Sequence, residues 1–460
     1  MSTGPASTAR PGDSALFTDL YELTMLKAYY DHGMTGEAVF EFFVRRLPDN
    51  RPFLVAAGLE QLLDYLEQLK FTASDLDWLR QNKDFGEDFL DHLARWQFSG
   101  HVDAMPEGTL FFADEPIVRV IATLPEAQLV ESRLINILQL QTLLASKALR
   151  CRLAAPDKLL IDFGMRRAHG AEAGLLAARA CYLAGFDGSA TVLAEQMYGV
   201  PCFGTMAHSF IQTQDDESEA FLRFAESHPD NVVLLIDTYD TVAGARKVVE
   251  ILPALSARGI HVRGVRLDSG DLGALARQVR QVLDKGGAGQ VRIFASGSID
   301  EHRLAALADA PIDGFGVGTR MDVSADAPYL DCAYKLEEYD GVARRKISRG
   351  KSTWPGRKQV WRQHDSRGLM CGDVLTTLDD TRATGEPLLR RVMTDGRRAA
   401  LPSLGESRQY LAAQVDRLPE ELRSLEETPC YPVQVSKALR ELTESVDATI
   451  ASQGATWPAD

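Results

Sequence analysis

From Asp157 to Thr319 the sequence alternates short apolar, β-branched runs with helix-length segments, and no other feature restricts the possible folds as much. Seven strand candidates fall at 159–163, 185–189, 200–203, 232–236, 262–267, 291–295 and 312–317, most of them separated by helical stretches such as AEAGLLAARACYLAG and GDLGALARQVRQVLDKG. Such alternation predicts a parallel sheet, and this many consecutive βα units favour closure into a barrel over an open sheet. Because βαβ crossovers are right-handed, the loops that follow the strands leave on one face. Chemistry is expected on that face.

The flanks do not alternate. Residues 16–26 place apolar side chains at helical spacing, with Thr18 or Asp19 available as a cap; 38–46 read as a strand, 56–98 as two or three amphipathic helices and 127–150 as one long helix. Past Thr319, LEEYDGVARRKI reads as a hairpin turning at Asp340-Gly341. The basic run that follows, Arg344, Arg345, Lys346, Arg349, Lys351, Arg357 and Lys358, reads most simply as a solvated hairpin. The expected division is a disordered tail at 1–15, an α+β domain at 16–126, a barrel domain at 127–328, a return segment at 329–400 completing the α+β domain, and a helical segment and tail at 401–460.

Composition excludes several function classes. A net charge of -15 opposes broad attraction to nucleic acid or anionic membrane, although local basic clusters can still hold phosphate. The six cysteines are scattered without C-x-x-C spacing, which suits neither a zinc site nor a disulfide framework, so free thiols in a reducing cytoplasm are expected. No run is apolar enough for a signal peptide or a membrane span.

The candidate chemistry lies in the loops after the strands. In Cys202-Phe203-Gly204-Thr205-Met206-Ala207-His208, a short apolar approach and a Gly-Thr pair lead to a lone histidine, a candidate working imidazole. In Arg266-x-Asp268-Ser269-Gly270-Asp271, the arginine fork can hold a carboxylate, and Asp268 and Asp271 can hold Mg²⁺ through water or accept sugar hydroxyls. An N-capped helix, with Asp268 or Ser269 bonding its first turn and Arg266 paired to a local acid, is the plain alternative. Phe163 and Arg166 put an aromatic face beside a cation on one loop, suited to a flat aromatic acid or a phosphate. Gly316-x-Gly318-Thr319 lets backbone N–H groups approach an anion. Asp187 is either a solvated turn residue or a hydrogen-bond acceptor at the ring. His32, His169 and His261 are assigned to structure.

Nine ordered motifs, FTDLYELTM, VFEFFVRRLP, DFGMRRAHG, GFDGSATVLA, FGTMAHSF, RLDSGDL, FASGSID, GFGVGTRM and PGRKQVWR, resemble the nicotinate phosphoribosyltransferases over residues 16–440 or so. The resemblance implies an incomplete seven-stranded parallel α/β barrel with a mixed α+β sandwich domain built from both ends of the chain. It implies a cytoplasmic enzyme joining nicotinate to phosphoribosyl pyrophosphate, with Mg²⁺ as cofactor and ATP as co-substrate, in a homodimer whose active sites are shared across the interface. By position, His208 matches a histidine that ATP phosphorylates. Tyr21 matches a tyrosine that stacks on the nicotinate ring in the other subunit's site, opposite Phe163. Arg266 and Thr205 match contacts to the pyridine acid; Asp268, Gly297, Gly316, Gly318 and Thr319 match ribose and phosphate contacts, with Ser269 and Gly270 in the same substrate-binding turn. Arg166 and Lys335 match phosphate-facing positions. No residue set is expected as a dedicated metal site.

Three other readings fit parts of the pattern. A nicotinamide-specific transferase would use Asp187 for the amide, although Arg266 suits an acid better. A barrel aldolase or isomerase would place a lysine or a carboxylate base at a strand end, and no strand-end loop carries a lysine. A catalytically silent binding protein would bind nucleotide without turnover.

Overall fold

The structure is a computed structural model that describes residue 12 and residues 14–381, 383–425 and 429–452. The tail expected at 1–15 lies outside the described residues except for residues 12, 14 and 15. The chain forms two compact units: Leu144–Pro328, and a second built from both chain ends, Met1–Leu143 with Tyr329–Asp460.

In the first unit, six strands, β1 Leu159–Asp162, β2 Gly188–Ser189, β3 Val232–Leu235, β4 Val262–Leu267, β5 Arg292–Ser296 and β6 Gly314–Val317, form one sheet in the order β2-β1-β6-β5-β4-β3. All neighbours are parallel. The edge strands β2 and β3 do not pair with each other, so the curled sheet is a barrel left open. The seventh strand expected at 200–203 is reduced to a single parallel bridge, Ser189 with Cys202. Pro201 has no N–H to extend a ladder, and the segment keeps only Ser189 N–H to the Pro201 carbonyl at 3.0 Å and Phe203 N–H to the Ser189 carbonyl at 2.9 Å. Leu160, Leu234, Val265, Ile293 and Val317 are among the fully or nearly fully buried strand side chains. Each such burial contributes roughly 1.5–3 kcal/mol.

Helices follow the strands where the turn chemistry allows. Asp240 caps the helix Thr241–Ser256 through Ala243 N–H, Asp271 caps Leu272–Lys285 through Ala274 N–H, and Asp300 caps Glu301–Ala306 through Arg303 N–H. The cap after RLDSGD is therefore Asp271. Asp268 and Ser269, one step nearer the strand, stay free for other contacts.

The second unit holds a seven-stranded antiparallel sheet in the order Val342–Ala343, Cys332–Tyr339, Glu37–Val44, Pro116–Thr123, His101–Ala104, Arg390–Thr394, Arg397–Arg398. A four-stranded sheet orders Glu386–Pro387, Lys358–His364, Met370–Thr377 and Val433–Val435. The hairpin expected at Asp340-Gly341 is present, both residues having positive φ, 48° and 72°, as a two-residue turn requires. The basic run beyond it is not a solvated hairpin throughout. Lys358 is buried, 2.9 Å from Glu41, and donates to the Trp354 and Gly356 carbonyls; Arg357 pairs with Glu338 and Glu37, and Arg345 with Asp447 at 3.0 Å. A buried carboxylate such as Glu41 is tolerated only with a cation beside it, and the run supplies those cations. Among the described residues no helix is long and apolar enough to cross a membrane.

Candidate active site

The loops at the carboxyl ends of β3 and β4 and the segment bearing His208 meet at one carboxylate. Asp237, just past β3 and buried, places Oδ1 3.2 Å from His208 Nε2, while Oδ2 accepts Asp268 N–H at 2.9 Å and Ser269 Oγ–H at 2.7 Å. Asp268 in turn accepts a hydrogen bond from Ser296 Oγ, the last residue of β5. The structure therefore joins His208, Asp268 and Ser269 through Asp237, a residue that the sequence reading left without a role. An acid directly after an entirely apolar strand, VVLLI-Asp237, is the signal that marks it, because a carboxylate buried there needs donors from neighbouring loops. Ser296, in a strand-end loop of the sequence pattern, likewise gains a role only here.

His208 opens the short helix His208–Gln212, and its imidazole is partly exposed. In the tautomer that carries its proton on Nε2, Asp237 accepts that N–H and Nδ1 keeps its lone pair.

Arg266, on β4, donates through Nη2 to the Met206 carbonyl at 2.8 Å, which ties the strand to the Gly204–Ala207 loop. Burial lowers its pKa, and Arg166 nearby lowers it further against the pull of Asp268 and Asp237. Arg266 Nε, Thr205 Oγ1 and Thr238 Oγ1 are buried without protein partners. Unpaired buried polar atoms cost about 1–3 kcal/mol each, and three in adjoining segments point to a ligand that supplies the missing partners.

Phe163 follows β1 and bonds the Val317 carbonyl at 2.7 Å; Arg166 lies in a single turn, Met165–Arg167, with its side chain exposed. Gly316 sits inside β6 rather than in the loop after it, and a Cβ there would lie 2.3 Å from the Phe163 ring. Its lack of a side chain thus makes room for the aromatic. Gly318 precedes the one-turn helix Thr319–Asp322 and packs against the Phe163 backbone. Asp268, Ser269, Gly270 and Gly297 share an open cavity of about 470 Å³ with Arg303 and Arg320. Gly297 has φ 98°, and a Cβ would approach the Asp268 carbonyl to 2.3 Å, so only glycine fits.

Asp187 does not join this group. Its carboxylate takes Arg152 Nη2 at 2.8 Å and Leu160 N–H at 2.8 Å, toward the amino end of the β1–β2 pair, so the fold has already claimed it. Behind β1 lies a buried group, Asp162, Cys181 and Asp322, whose ligand-capable atoms are within 4.8 Å of one another. Burial, then the neighbouring Asp162, push the Asp322 carboxyl up to about 9, and one proton shared between the two acids accounts for the arrangement.

Tyr21 and Lys335 belong to the other unit and line one cavity there with Glu131 and Arg344. Lys335 is paired with Glu131 at 2.9 Å. Gln128 Nε2 bridges Glu131 and Glu22, and burial above all pushes Glu22 up to about 7. Tyr21 remains half exposed, and burial followed by Glu131 and Glu22 raises its hydroxyl pKa.

Family models match along the chain: the nicotinate phosphoribosyltransferase N-terminal domain at residues 16–139, the nicotinate phosphoribosyltransferase family at 159–350 and its C-terminal domain at 378–443. The nicotinate phosphoribosyltransferase pncB2 of Mycobacterium tuberculosis is 50% identical over 427 residues, covering 92% of this chain and 91% of its own. The Bacillus subtilis nicotinate phosphoribosyltransferase is 41% identical over 77% of this chain and 75% of its own. Among solved structures, human nicotinic acid phosphoribosyltransferase superposes with a TM-score of 0.84 at 30% identity, covering 93% of this chain and 99% of its own.

Proposed function

This chain belongs to the nicotinate phosphoribosyltransferase family, and on that premise we propose that it joins nicotinate to 5-phosphoribosyl 1-pyrophosphate, giving nicotinate mononucleotide and pyrophosphate, a step toward NAD. The bond from ribose C1 to the pyrophosphate oxygen breaks, and a bond from the pyridine nitrogen to C1 forms. The observation that carries this reading is the Asp237-centred cluster, which holds His208, Asp268 and Ser269 beside Arg266 and the buried, unpartnered Thr205 hydroxyl.

The pyridine nitrogen is already a nucleophile and needs placing more than activating. Arg266 suits the nicotinate carboxylate: its buried Nε lacks a protein partner, and partial desolvation strengthens a charge-assisted bond. Phe163 offers a ring face for the pyridine. Asp268, aligned by Ser296 and by its own N–H on Asp237, faces the cavity where ribose hydroxyls would lie. The same carboxylate fits Mg²⁺ held through water, which would offset charge developing on the leaving pyrophosphate. Asp187 is paired with Arg152 toward the amino end of the β1–β2 pair, and no observation favours a nicotinamide transferase.

In the same proposal ATP phosphorylates His208: attack of Nδ1 on the γ-phosphorus forms the N–P bond and releases ADP, while Asp237 holds the Nε2 proton and steadies the resulting cation. Hydrolysis of that phosphoryl group is coupled to product formation. The active unit is a homodimer in which Tyr21 completes the partner's site. The test is nicotinate mononucleotide formation by purified protein with Mg²⁺ and phosphoribosyl pyrophosphate, with and without ATP, in wild type and His208→Ala. ATP stimulation present in wild type and absent in the variant, with basal turnover retained, is the expected result. No product from nicotinate would sink the function.

A further inference from the structure

Two arginines in the open cavity have no role so far. Arg303 and Arg320 both line it, beside Asp268, Gly297 and Ser298, and both side chains are exposed. Arg320 is nevertheless held in place: its Nη1 donates to Asp300 Oδ2, while Asp300 Oδ1 accepts Arg303 N–H at 2.8 Å. Burial pushes the Asp300 carboxyl up, but the Arg303 N–H and the Arg320 guanidinium outweigh it and hold the group below the usual carboxylate range, so it is charged at neutral pH.

A second tie lies beneath the first. Glu301, fully buried, pairs with Lys147 Nζ at 2.6 Å, and the same ammonium pairs with Asp326 at 2.6 Å. The segments bearing Arg303 and Arg320 are thereby fastened to each other by Asp300 and to a common lysine. The Asp300 pair fixes the Arg320 side chain itself, and the Lys147 bridge fixes the segments that carry Arg303 and Arg320. A guanidinium held at one nitrogen keeps its remaining N–H donors, and these suit the fork geometry of a phosphate.

We propose that Arg320, with Arg303, binds a phosphate group of the sugar substrate, and that Asp300 is a positioning residue that aims Arg320 into the cavity. This rests on the phosphoribosyltransferase reading above. The shared chemistry is a phosphate dianion; it belongs either to the 5-phosphate or to the pyrophosphate end.

The experiment measures kcat and both KM values for Arg320→Gln, Arg320→Lys and Asp300→Asn, and titrates ribose 5-phosphate and Mg²⁺-pyrophosphate calorimetrically into each. Arg320→Gln is expected to raise KM for phosphoribosyl pyrophosphate by about ten-fold or more, with the nicotinate KM within about two-fold. Arg320→Lys should recover part of the loss. Asp300→Asn keeps an oxygen for the Arg303 N–H and should show the same selective KM rise, weaker, with an unchanged melting temperature. Affinity lost for ribose 5-phosphate places the arginines at that end, and affinity lost for pyrophosphate at the other. Unchanged KM and unchanged affinity for both ligands in Arg320→Gln would overturn the site. An Asp300→Asn effect that merely tracks a drop in melting temperature would overturn the positioning role. Wild type that turns over no substrate, yet binds either phosphate through Arg320, would sink the reaction and leave the anion site standing.

Discussion

At the scale of single residues, Asp237 does the most with one side chain. It accepts from one backbone N–H and one hydroxyl and orients one imidazole, so removing it strands several groups together. Asp237→Ala leaves the Asp268 N–H and the Ser269 hydroxyl without their acceptor and frees His208. We expect kcat to fall by at least about ten-fold and ATP stimulation to vanish, measured by steady-state product formation with and without ATP. Arg266→Lys tests the carboxylate contact. A point charge cannot reproduce a fork that also holds the Met206 carbonyl, so the nicotinate KM should rise by about ten-fold or more while the KM for phosphoribosyl pyrophosphate changes less. An equal rise in both would remove Arg266 from the nicotinate contact.

At the scale of elements, the loop after β1 and the turn after β6 are packed through Gly164, Gly316 and the Asp162–Asp322 pair. A Cβ on Gly164 would lie 2.2 Å from Asp322 Oδ1, and one on Gly316 2.3 Å from the Phe163 ring. Gly316→Ala should therefore displace Phe163 and raise the nicotinate KM without altering secondary structure, as circular dichroism would show. The acid pair has a signed pH dependence. Asp322 titrates at about 9 when folded against an ordinary 3.8, so the native state binds the extra proton between those values. Its favourable contribution is complete below the ordinary pKa and is lost as pH rises toward about 9. Asp322→Asn mimics the protonated acid at every pH. Its melting temperature relative to wild type should rise steadily from pH 5 to pH 9, and a constant difference would mean that no proton is shared.

At the scale of the whole molecule, the proposal that Tyr21 supplies a ring face opposite Phe163 across a dimer has its own test. Phe17, just before the helix Leu20–Asp31, and Leu20 and Tyr21 at its start are exposed large apolar side chains, which suits a surface covered by a second copy. If Tyr21 completes the partner's site, Tyr21→Ala and Arg266→Ala are each impaired alone, yet mixed dimers carry one intact site. Mixing the two after mild dissociation should restore roughly a quarter of wild-type activity. No recovery, with mixed dimers demonstrated by mass, would place Tyr21 in its own chain's site.

Much of the fold could be read from the chain itself, because period and turn chemistry are local properties. The apolar runs of β1, β3, β4, β5 and β6, the Asp340-Gly341 hairpin and the His208, Arg266 and Asp268 loops all lie at or within a residue or two of where the pattern puts them. Partners distant in sequence could not be read. Asp187 reads as a turn residue or a ring acceptor, and only the fold pairs it with Arg152; Lys358 looked solvated until Glu41 buried it. Pro201 was in plain view, but that it leaves the seventh strand as a lone bridge depends on the neighbouring Ser189. Asp237 became central only once the His208 segment and the loop after β4 converged on its two oxygens. Sequence alone determined which residues could carry charge, turn the backbone or span the sheet. Tertiary structure decided which charges meet, because a buried carboxylate is held by whichever donors folding brings within about 3 Å of it, however far away in the chain they begin.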